Sequence, residues 1–226
     1  MHLVFLGFIR DLCALLNGTF FKAAHLNNHA GRMSEKDWRQ LGVDMGNIGA
    51  PVSWGRYPRN IEKYIKGFKA EELSNFLLHY LLPLSFNRVN LATYRALQRL
   101  VLAISLATSF ELKCLEIEEI ERHLTLFVGW FYDTFYQRNY ERLPVCKYTI
   151  HSLLHLIWDV RNWGSASYFW QFPEVPPSPV LLIKGTAMWN TGSRYQKSGS
   201  RRCKSHCSDA SISTRRLCIQ IRHDSS

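Results

Sequence analysis

Two histidines four residues apart, in Tyr148-Thr-Ile-His151-Ser-Leu-Leu-His155, carry the sharpest chemical signal in the chain. On a helix, positions i and i+4 lie one above the other on the same face, so both imidazoles can reach one ion. Imidazole nitrogen in that arrangement suits zinc. Ser152 stands where the His-Glu-x-x-His motif needs its glutamate, which excludes a zinc-protease reading. The plainer alternative is two polar residues flanking a buried stripe of Ile150, Leu153, Leu154 and Ile157.

A second group is electrostatic. Arg56, Arg59, Lys63, Lys66 and Lys69, opposed only by Glu62, are interleaved with Trp54, Tyr57 and Tyr64. Lysine and arginine neutralise phosphates and exposed aromatics stack on bases, so the cluster is a candidate DNA contact. Its alternative is a solvated loop-and-helix face whose aromatics anchor the loop to the core. Cys203, Cys207, Cys218 and His223 loosely imitate a zinc finger, but their spacing is irregular and no small apolar core accompanies them. The chain has no glycine-rich phosphate loop and no Ser/His/Asp arrangement.

The elements that must position these residues are helices. Residues 3–16 predict a first helix, stopped by Asn17-Gly18. Ser34 and Asp37 form a weak capping box for a short helix over 35–41. Gly49, Pro51, Gly55 and Pro58 make 49–59 a loop. Leu73, Phe76, Leu77, Tyr80 and Leu81 recur at helical spacing, with Pro83 as the expected stop. Residues 94–108 are apolar on several faces, which predicts a central helix buried on most sides. Ile117, Ile120, Leu124, Phe127, Phe131 and Phe135 form the next stripe, and Pro144 precedes a last helix over 146–162.

Composition sets the frame. Of 226 residues, 46% are apolar, enough for a real core. The formal charge of +10 is concentrated at the carboxyl end, where residues 175–226 hold nine Lys/Arg against two Asp. That stretch is rich in Pro, Ser, Gly and Arg and lacks core periodicity, which predicts a disordered basic tail after a helical domain over 1–174. Cys13, Cys114 and Cys146 sit in apolar helical contexts without framework spacing, the pattern of a reduced intracellular protein. No run of 18 uncharged apolar residues exists, so no membrane span is expected.

Three segments together resemble fungal CACTA-type (En/Spm-like) DNA transposases: Met1-His2-Leu-Val-Phe-Leu-Gly7, Pro51-Val-Ser-Trp-Gly-Arg-Tyr57, and Leu143-Pro-Val-Cys-Lys-Tyr-Thr-Ile-His151-Ser-Leu-Leu-His155. The likeness covers residues 1 to about 174 and the carboxyl-terminal part of the transposase. It implies a mainly α bundle like the helical insertion of a ribonuclease-H-like transposase. The family carries Asp-x-Met-His where this chain begins with Met1-His2, so the resemblance implies a piece starting just inside that motif. It implies further that His151 and His155 are structural zinc ligands, with His2 a third and the fourth an aspartate not in this chain. The zinc site expected here is therefore incomplete, and His2 would bring the first helix against the last. Glu174, nineteen residues after His155, would be the third catalytic carboxylate. The Mg²⁺ ions of the intact enzyme need further carboxylates. The resemblance thus implies a truncated fragment without catalysis of its own, intracellular and nuclear, with DNA and intact transposase subunits as partners. The rival expectation is a helical protein-interaction module with no nucleic-acid or metal role.

Overall fold

Apolar residues at helical spacing govern the architecture. The computed structural model describes residues 3–51 and 55–168, all within the compact unit Met1–Gly185. Of these described residues 72% are helical and none lies in a strand, as a mainly α protein requires. Helix α1 is a π-helical run, Leu3–Ile9, that continues as Arg10–Leu16. Helix α2 is Glu35–Gly46, and α3 is Ile61–Tyr64, followed by the 3-10 turn Ile65–Gly67. Helix α4 joins Ala70–Asn75, the π-helical Phe76–Tyr80 and Leu81–Ser85. Helix α5 is Leu91–Ala107; α6 joins Cys114–Phe131 to the π-helical Tyr132–Tyr136; α7 is Tyr148–Trp163.

Several boundaries have visible causes. Ser34 Oγ accepts the Asp37 amide at 3.1 Å and so caps α2, which runs five residues past the expected end; the Asp37 carboxylate accepts the Ser34 hydroxyl in place of the amide that a full capping box would use. Asn60 and Asn90 cap α3 and α5 in the same way, through the amides of Lys63 and Thr93. Gly18 has φ +73°, the left-handed stop expected after α1. Two expectations fail. Pro83 does not close α4: the helix passes through it to Ser85. The π-helical widening over 76–80 shifts the carbonyls that a proline ring would otherwise meet one turn back. Nor is α5 buried on most sides, since Leu91, Arg95, Gln98 and Leu102 form an exposed face opposite Leu97, Leu100 and Ile104. Its extra leucines widen the buried face without closing the circle.

Five helices close into a circuit. Helix α5 packs on α6, α6 on α7, α7 on the Leu3–Ile9 half of α1, α1 on α4, and α4 again on α5. Helix α2 lies outside, against α3 and the end of α4. Within the circuit Phe8 meets Phe127 edge-on at 5.8 Å and Phe131 at the same distance, while Phe135 continues the cluster 4.9 Å from Phe131. All four rings are buried, and each such side chain contributes up to about 3 kcal/mol by leaving water. The first helix therefore does lie against the last. Gly7 marks the crossing, because a Cβ there would stand 2.7 Å from Thr149 Cγ2. The ion pair of Lys147 with Asp11, 2.7 Å long, fastens the same place.

Candidate functional site

The buried side of α7 is drawn from Ile150, Leu153, Leu156, Ile157 and Val160. A helical turn of 3.6 residues sets Tyr148, His151, His155, Trp158 and Asn162 on the opposite, outer side. Tyr148 and Trp158 are 66% and 61% exposed, His155 is exposed and His151 half-buried. The histidine Nε2 atoms stand 3.0 Å apart with the rings edge to face. At that distance one nitrogen donates a proton and the other accepts it. Burial, and then the neighbouring His155, hold the His151 imidazole below its ordinary range, which favours its neutral form. Two imidazole nitrogens this close fit two corners of a zinc site, whose tetrahedral ligands at about 2.0–2.1 Å stand roughly 3.3 Å from one another. Among the described residues no group of three His, Cys, Asp or Glu side chains is arranged to hold a metal. The apolar stripe thus supports the pair from beneath and does not enclose it.

The basic cluster forms a ledge over residues 55–69. Arg56, Tyr57, Lys63, Tyr64, Lys66 and Lys69 are all exposed, and the four cations among them make no ion pair with a described residue. Arg59 behaves differently. Its Nε donates to Glu72 Oε1 at 2.7 Å and its Nη2 to Glu72 Oε2 at 3.0 Å, with a further bond to the Gly67 carbonyl at 3.2 Å. The guanidinium also lies over the Phe68 ring at 5.0 Å. Glu72, 6% exposed, meanwhile accepts the Lys69 amide at 3.0 Å. Arg59 is therefore the fastening that holds the ledge onto α4, and the lysines project from it.

His2, Trp54, Glu174 and the whole of 175–226 lie outside the described residues, as does the expected boundary at 174. No protein-family model, curated protein or solved structure matches the chain. No helix among the described residues is long and apolar enough to cross a membrane.

Sequence reasoning missed one buried polar corner. His29, 8% exposed, has neither ring nitrogen hydrogen-bonded and sits edge-on to Phe135 at 4.8 Å. Arg142, 5% exposed, donates to the Phe135 carbonyl at 3.2 Å and lies over the Phe21 ring at 5.6 Å. Burial, with the charges of Arg142 and Arg32, pushes the His29 pKa down to about 4. His29 stands in a loop and Arg142 in the short 3-10 helix Tyr140–Val145, both too short to announce burial by periodicity.

Proposed function

We propose that the chain is a helical, DNA-contacting part of a CACTA-type transposase, engaging the duplex backbone through charge. The observation that carries this reading is the ledge over 55–69. One arginine, Arg59, is locked to Glu72, while Arg56, Lys63, Lys66 and Lys69 stay exposed beside Tyr57 and Tyr64. Cations on a rigid base neutralise phosphates without first losing the freedom of the backbone that bears them. The family comes from the resemblance of three segments, and an all-helical body is the class that resemblance implies for the insertion. In this reading strand transfer belongs to the intact enzyme in the nucleus, whose subunits this chain would join.

Fluorescence anisotropy of the full chain on labelled duplex DNA, across a salt series, tests the proposal. Affinity should fall steeply with salt. Lys63→Glu with Lys66→Glu should weaken it and flatten the log–log salt slope by about two, one phosphate contact per lysine. Salt-independent binding, or an unchanged slope in the double variant, would sink the idea. A second reading, a helical protein-interaction module, is favoured by one observation: Tyr148, Trp158 and Trp163 are exposed large aromatics on a single helix. Absence of DNA binding at low salt would leave that reading in place.

A further inference from the structure

The outer face of α7 has an internal symmetry. His151 and His155 lie two residues on either side of Leu153, and Tyr148 and Trp158 lie five on either side. Read in either direction, the face therefore runs aromatic, imidazole, imidazole, aromatic at the same intervals. Leu153 itself is buried, so the midpoint of the face lies on the outer side opposite it. Such a face is complementary to itself under a two-fold rotation that sets two copies of α7 antiparallel, because an isologous interface joins each residue to its mirror position on the partner. Each Tyr148 would meet a Trp158, and the two histidine pairs would face one another.

We propose that His151 and His155 of two copies of this chain bind one zinc ion between them, completing a four-histidine site and pairing the molecules through α7. The chemistry asks for a second copy. Structural zinc takes four ligands, this face offers two, and no third His, Cys, Asp or Glu joins them among the described residues. The two Nε2 atoms are 3.0 Å apart, near the separation of ligands on one zinc. The Nε2 proton that one ring donates would move through solvent to the Nδ1 of the same ring as the metal enters, since zinc takes the unprotonated nitrogen of a neutral imidazole. A face one helix wide falls below the roughly 1,000 Å² of a stable protein interface. Pairing is therefore zinc-dependent, with the aromatic contacts as support. This site differs from the intrachain one that the transposase resemblance implies, because the second copy, and not His2, completes it. It uses none of the ledge residues, so it stands or falls separately from the DNA reading.

Light scattering on the full chain, during titration with Zn²⁺, tests the proposal. The mass should double as one zinc is taken up per two chains, and EDTA should reverse it. His155→Ala should abolish both the doubling and that zinc, with the helical circular-dichroism signal unchanged because the residue is exposed. Trp158→Ser should keep the histidine-dependent zinc and raise the dimer dissociation constant several-fold. Zinc bound by the histidines with an unchanged mass would overturn the bridge. So would a zinc-dependent dimer that survives His151→Ala with His155→Ala, or a chain whose zinc uptake these substitutions leave unaltered.

Discussion

Arg59 and Arg142 are both drawn into the fold, and the protein satisfies them in opposite ways. Arg59 meets a carboxylate with two parallel bonds, so its charge is cancelled where it lies. Arg142 is more deeply buried and has the Phe135 carbonyl and the Phe21 ring for partners. Its charge is solvated and not cancelled, and the field it leaves makes any second cation nearby expensive. His29 is the neighbour that bears the consequence, being held neutral. The ledge can thus carry lysines at no cost to the core, while the corner at His29 and Arg142 is a place where acid attacks the fold.

The largest expected effect sharpens that contrast. His29 has a folded pKa of about 4 against an ordinary 6.5, so the unfolded chain takes up the proton first. Stability is full above about pH 6.5, falls with acidification, and loses about 3 kcal/mol by pH 4. Urea midpoints at stepped pH should show this loss, and His29→Leu should remove most of it. An identical acid loss in that variant would place the weakness elsewhere. Next in size, Glu72→Gln strips the charge facing Arg59. The arginine is more than a third exposed, which screens the loss to about 2 kcal/mol, readable as a Tm decrease from the unsubstituted chain that is the same at pH 6 and at pH 8.

Smaller effects follow from the same comparison. Arg142→Met removes one cause of the His29 shift but not burial, the greater one. It should therefore narrow the acid loss by less than half, and complete loss of the pH dependence would reverse the order of those causes. Lys63→Glu with Lys66→Glu should change the unfolding free energy by no more than about 0.5 kcal/mol, because both side chains are exposed. A larger drop would mean that the ledge lysines support the fold.

How much of this could be read from the residues depends on whether the signal was periodic. The stripe from Ile120 to Phe135 announced a buried face, and all five of its residues from Ile120 onward are buried. His151 and His155 likewise declared their juxtaposition through their spacing, and their nitrogens do meet. Arg59 could not be separated from its basic neighbours, since its partner Glu72 is thirteen residues away and nothing local selects it. The passage of α4 through Pro83 depends on a π-helical turn, which leaves no mark in an apolar pattern. His29 and Arg142 come together across more than a hundred residues, from a loop and a 3-10 helix of six residues.

The meeting of Gly7 with Thr149, and of Asp11 with Lys147, also bears on how the chain is made. Contacts between such distant positions form late, because the long intervening loop must be closed before they bring any return. During synthesis α1 emerges before α7, so Gly7 and Asp11 lack Thr149 and Lys147 even after Phe127 and Phe131 of α6 are present to receive Phe8. Nascent chains ending before residue 148 should accordingly leave the α7-facing side of their first helix uncovered, sticky and open to chaperones and proteases.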